Sequence, residues 1–118
     1  MDARLAAQAR GKQGEARVAK ALSAEGWTVL SRNWRGGGSE LDLVVARGAT
    51  LRFVEVKTRS AGDPVGVESV GPEKQAHLVR AARAWMREHP HDYEELAFMV
   101  ALVEPDIITW FDDAFDAE

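Results

Sequence analysis

A chain of 118 residues, 46% hydrophobic and 29% charged, is long enough to bury a core and reads as a single domain over 1–118. It has no cysteine, which excludes disulfides and thiolate metal sites, and no run near the ~20 apolar residues of a membrane span. The net charge of −4 argues against a nucleic-acid binder, but the charge is unevenly spread. Residues 1–59 hold 11 Lys/Arg against 6 Asp/Glu (+5), whereas residues 60–118 hold 4 against 13 (−9). Either solvated charges cluster by chance or one domain has a basic and an acidic face. The N-terminus lacks the apolar segment of a secretory signal, so a soluble, cytoplasmic protein with no membrane partner is expected.

From about residue 4 to 25 the chain is rich in helix formers. Glu15, Val18, Ala19 and Leu22 fall on one helical stripe, with Gly26 as the stop. "WTVLSRNWR" predicts a first strand and "GGG" at 36–38 a flexible connection. "SELDLVVARGATLRFVEVKTR" predicts two further strands joined by a turn, and "SAGDPVGVESVGP" a loop. Pro72 suits the first position of a helix running to about Glu88, whose Leu78, Ala81, Ala82 and Trp85 form the core stripe. The continuous apolar run "LAFMVALV" predicts a strand covered on both faces. "IITWF" predicts an edge strand, and residues from about 112 to 118 an acidic tail. The order αβββαβ, with a last strand added, is that of an α/β domain in which a late strand returns parallel to an earlier one. Trp27, Trp85 and Trp110 are expected in the core, and His77, His89 and His91 on the surface.

The charges inside the second and third strands need a reason. A two-residue type II′ turn at Gly48-Ala49 pairs Arg47 with Thr50. In that register Asp42 opposes Glu55 and Glu40 opposes Lys57, all four on one face, with Leu41, Leu43, Val45, Val54 and Val56 on the other. Two opposed carboxylates repel. Two arrangements relieve that: Lys57 as a structural counter-ion, or a divalent cation such as Mg²⁺, which binds one or two carboxylates plus water and phosphate.

With Asp42 followed by Glu55-Val56-Lys57, the stretch resembles the PD-(D/E)XK nuclease signature. More narrowly, "GKQGEARVAKAL", "GWTVLSRNWR", "ELDLV" and "FVEVKTR" taken in order resemble the YraN-like family of small bacterial proteins. Those are predicted nucleases related to archaeal Holliday-junction resolvases. Two departures stand out: Ser39 replaces a usual Gly, and Ala97-Phe98-Met99 replaces a usual Arg-Phe-Asp.

The resemblance implies an α/β, restriction-endonuclease-like mixed sheet and a nuclease that cleaves branched or otherwise structured DNA with Mg²⁺ or Mn²⁺. Asp42 and Glu55 are the implied metal ligands, with the Val56 carbonyl as a further one and Glu40 as either a ligand or the holder of Lys57. Lys57 is implied to position water or to stabilise charge developing on phosphorus. Glu15, a carboxylate on an apolar stripe, joins the catalytic set. Arg32, Arg35, Arg59 and the interleaved Trp34 are expected to meet the phosphate backbone and bases, and Lys74 a phosphate. A homodimer follows by analogy with enzymes that cut two strands. The rival reading is a non-catalytic nucleic-acid-binding or adaptor module on the same fold.

Overall fold

The computed structural model describes residues 3–59 and 70–115, with side chains from residue 11 onward. Most of the loop expected over 60–72, and the last three residues of the acidic tail, lie outside the described residues. The elements run α1 (Ala3–Ala24), β1 (Thr28–Gly36), β2 (Ser39–Arg47), β3 (Thr50–Thr58), α2 (Pro72–Glu88), β4 (Glu95–Val103) and β5 (Ile108–Phe111). They build one five-stranded sheet in the order β1-β2-β3-β4-β5. All neighbours are antiparallel except β3 and β4, which run parallel because α2 carries the chain back across the sheet. This is an α/β fold with a mixed sheet flanked by helices, consistent with a restriction-endonuclease-like core.

Each helix covers one face. α1 places Val18, Ala19 and Leu22 against Leu43, Val45, Val54, Met99, Ala101 and Val103. α2 places Leu78, Ala81, Ala82 and Trp85 against Leu41, Val44, Leu51, Phe53, Phe98 and Val100. With both faces covered, β4 has no need to alternate, and seven successive residues from Ala97 to Val103 are buried. α1 ends in a paired backbone cap, Gly26 N–H donating to the Ser23 carbonyl and Trp27 N–H to that of Leu22, which seats Trp27 in the core.

The "GGG" stretch is a tight hairpin turn rather than a flexible connection. Gly36 pairs with Ser39, and both residues between them are left-handed, with φ of +62° at Gly37 and +79° at Gly38. A Cβ at Gly37 would come within 2.8 Å of the Arg80 carbonyl oxygen, so α2 rests directly on this turn. Trp110, expected in the core, is instead 39% exposed on the edge strand β5. β5 pairs with β4 at the edge of the sheet.

Arg52 is the feature that the pattern of the sequence hid. It lies on β3 with only 5% exposure. Its Nε donates to Asp112 Oδ1 at 2.6 Å and its Nη2 to Glu95 Oε1 at 2.8 Å, tying β3 to the start of β4 and to the segment after β5. Asp112, expected in a free acidic tail, is thereby a structural counter-ion, and the guanidinium beside it lowers its pKa.

The turn generates a stability prediction. Gly37→Ala meets both a left-handed backbone and the Arg80 carbonyl, whereas Gly38→Ala has open space around it. Thermal and urea unfolding should show Gly37→Ala destabilised by roughly 2–3 kcal/mol and Gly38→Ala by only about 1–2. Equal losses would mean that α2 does not rest on the turn.

Candidate metal and nuclease site

The β2–β3 ladder follows the register expected from the Gly48-Ala49 turn, from Arg47↔Thr50 to Leu43↔Val54. Beyond that pair the ladder ends. Asp42 Oδ2 instead accepts the backbone N–H of Val56 at 2.8 Å. A side chain thus occupies the position of a ladder bond, and the two central strands part around it.

The same point breaks the alternation of β2. In a regular strand Leu41 and Leu43 would share a face. Here Leu43 packs under α1 and Leu41 under α2, so the expectation that both lie on one core face is corrected. β1 matches this irregularity. Arg32 pairs with Leu43 and Trp34 with Leu41, and between them Asn33 has φ of +49°. Asn is among the few non-glycine residues that accept this conformation. Its side chain lies beside Glu15 and opposes the rise in that carboxyl's pKa, a role that sequence reading missed, since within "SRNWR" the cations and the indole drew attention.

Glu55 is buried, at 7% exposure. Leu41, Phe53, Leu78 and Phe98 surround it. Its Oε1 lies 3.6 Å from Lys74 Nζ and 3.9 Å from Lys57 Nζ, while Oε2 is buried with no hydrogen-bond partner among the described residues. Burial, with the neighbouring Asp42 adding to it, raises the Glu55 pKa to about 7. Asp42 is raised too, first by burial, against the opposing effects of the Val56 N–H and Lys74. Glu15, half-buried on α1, is raised by burial and by the nearby charge of Asp42.

Asp42, Glu55, Lys57 and Glu15 are therefore brought together from β2, β3 and α1, and Lys74 joins them from the first turn of α2. The remaining candidates are placed differently. Glu40 does not pair with Lys57. It lies opposite Arg35 on β1 and forms an ion pair with it at 3.2 Å. Arg35, Glu40 and Lys74 line one open groove with Gly36, Gly38 and Ser39. Arg32 is exposed. Trp34 is half-buried against the α2 core, its ring over Gly36 and edge-on to His89. Arg59 turns away from that groove, toward Glu104.

Among the described residues no three His, Cys, Asp or Glu side chains form a ready metal cage. A Mg²⁺-type ion does not need one, because it keeps several waters and uses one or two carboxylates. Two adjacent carboxylates, Glu55 buried with an unpartnered oxygen and Asp42 half-buried, are a donor set that fits such an ion. Asp42 and Glu55 could hold it, with Glu15 and Glu40 nearby.

Comparison with known proteins places the chain in a family. The family model described as "Uncharacterised protein family UPF0102" matches residues 14–110, from the second half of α1 into β5. A UPF0102 protein of Synechococcus is 48% identical over 88% of this chain and 82% of its own length. One from Parafrankia is 43% identical over 81% and 82%, and one from Bordetella avium 39% identical over 92% and 75%. The chain belongs to UPF0102, the YraN family of predicted endonucleases.

Proposed function

We propose that this protein is a divalent-metal-dependent nuclease that hydrolyses phosphodiester bonds in DNA, branched or otherwise structured, in the cytoplasm. One observation carries the reading: Asp42 and Glu55 are held together in the parted strands, Glu55 with a buried, unpartnered oxygen and a pKa near 7, beside Lys57. A structural ion pair has no use for an unsatisfied carboxylate oxygen, which carries a desolvation penalty. Mg²⁺ or Mn²⁺ bound there would offset phosphate charge and make water a stronger nucleophile at neutral pH.

The roles of the protein groups follow from position. Asp42 and Glu55 hold the ion, and the Val56 N–H orients Asp42. Lys57, partly exposed beside Glu55, faces the charge that develops on phosphorus. Lys74 and Arg35, at the groove edge, attract the flanking backbone, and Glu40 holds Arg35 in place. Cutting both strands of a branched duplex needs two such sites, so the working form is a homodimer.

The second reading, an adaptor that binds nucleic acid without cutting it, draws on Lys74. Two ammonium groups on Glu55 Oε1 balance its charge with no metal. Calorimetry separates the two. For the nuclease, Mn²⁺ raises the melting temperature of the wild type, by about 2.7 kcal/mol of stability at a hundredfold excess over Kd. Asp42→Asn and Glu55→Gln lose that gain without losing apo stability. Lys57→Ala keeps the gain but cuts four-way-junction or flap DNA about 10²–10³-fold more slowly. No metal-dependent shift, with Lys57→Ala unfolding more easily, establishes the adaptor.

The raised carboxyl makes a further prediction. Its folded pKa of about 7 lies above the ordinary 4.5, so between these values the native state binds more protons than the unfolded chain. Stability of the metal-free protein therefore falls as pH rises through that window. Glu55→Gln should flatten the fall, and Mn²⁺, which competes with the proton, should reverse it at the upper end. A melting temperature that rises with pH in the metal-free wild type would contradict this site electrostatics.

A further inference from the structure

A cleft of about 310 Å³ lies on the other side of Lys57, lined by Gln13, Gly14 and Arg17 of α1, Thr58 and Arg59 of β3, and Glu104 after β4. It sits at the carboxyl ends of the two parallel strands, where open α/β sheets place their ligands. α1 can approach β3 there because Gly14 has no side chain to meet Thr58.

Its donors are incompletely used. Arg59 Nε is buried and, among the described residues, has no hydrogen-bond partner. Its Nη2 is 3.7 Å from Glu104 Oε1, an ion-pair separation beyond hydrogen-bond length. Arg17 Nη1 donates to the Glu104 backbone carbonyl at 2.9 Å, which holds a second guanidinium at the cleft wall. Two arginines against one carboxylate leave the cleft with a net positive charge, and a buried unsatisfied donor is costly until an acceptor arrives. A guanidinium fork matches phosphate oxygens.

We infer that this cleft binds a phosphate group of nucleic acid, seated by Arg59 and Arg17. It shares both walls with the metal site: Gly14 is followed by Glu15, and Lys57 precedes Thr58 and Arg59 on one strand. A strand whose reacting phosphate lies at Asp42 and Glu55 thus passes a second phosphate, an internal diester or a strand end, into the cleft. That relation rests on the proposed nuclease reading, whereas binding of phosphate by the cleft does not.

The test is done in EDTA, so that the metal site takes no part. Affinities of the full chain for inorganic phosphate and for a short single-stranded DNA, with either a 5′-phosphate or a 5′-hydroxyl, are measured by titration across salt. Arg59→Ala and Arg17→Ala should each weaken binding about tenfold and flatten the salt slope by about 0.7. Glu104→Gln should tighten binding by removing a like charge, a gain that a purely structural Arg59–Glu104 pair does not predict. Arg17 is exposed, so its variant stays informative if Arg59→Ala unfolds. Preference for the 5′-phosphorylated strand assigns the cleft to strand ends, and equal binding that is still lost in the arginine variants assigns it to internal diesters. Wild-type affinity for phosphate and DNA in Arg17→Ala, or no tightening in Glu104→Gln, overturns the inference. Failure of metal-dependent cleavage with these bindings intact would refute the nuclease reading alone.

Discussion

The hydrogen bond from the Val56 N–H to Asp42 Oδ2 is the constraint on which the rest of the site depends. A side-chain acceptor in place of a strand carbonyl ends the ladder without orphaning the Val56 donor. The strands part, Asp42 is fixed in the gap and Glu55 is carried beside it. Asn33, in its left-handed conformation, reproduces the irregularity on β1 and places its side chain beside Glu15. Three elements thereby present carboxylates to one point with little freedom left in any of them.

Such a point is electrostatically expensive, and the fold compensates for it in two ways. Lys57 and Lys74 approach one oxygen of Glu55, from the same strand and from the helix above. Lys74 lies in the first turn of α2, where the helix dipole disfavours a cation, so its position reflects the attraction of Glu55. Proton uptake is the other compensation, visible in the upward pKa shifts of Glu55, Asp42 and Glu15. Both devices leave Glu55 Oε2 unsatisfied among the described residues, so the site is not a finished salt bridge.

The opposite end of β3 shows what a finished one looks like. Arg52 is buried too, yet its guanidinium meets Asp112 and Glu95 in good geometry and lies 5.9 Å above the Trp27 ring. Both acids keep about half or more of their side chains in water, so the network stabilises without the full desolvation penalty of a buried pair. One strand therefore carries a satisfied charge that staples the sheet and, three residues on, an unsatisfied one.

How much of this was legible in the sequence follows from which interactions are local. The element order, the Gly48-Ala49 turn and its register, the covered β4 and the core stripe of α2 were all readable, since each rests on periodicity or turn chemistry within a few residues. Asp42, Glu55 and Lys57 drew attention because charges at alternate positions contradict a strand with a buried face. Other features were not readable. The ladder ends at Leu43 because of one hydrogen bond between strands, and that bond moved Leu41 to the other face and parted Glu40 from Lys57. Arg52 looked like an ordinary strand cation until Glu95 and Asp112 came to it from distant segments. Arg35, Lys74 and Arg59 were alike as sequence, but the hairpin turn on α2 brought the first two to one groove and the end of β4 held Arg59 in another cleft. The sequence by itself determined the local conformations and the residue types available for chemistry. Only the tertiary structure decided which of them meet, because burial, charge compensation and the parting of two strands arise between segments far apart along the chain.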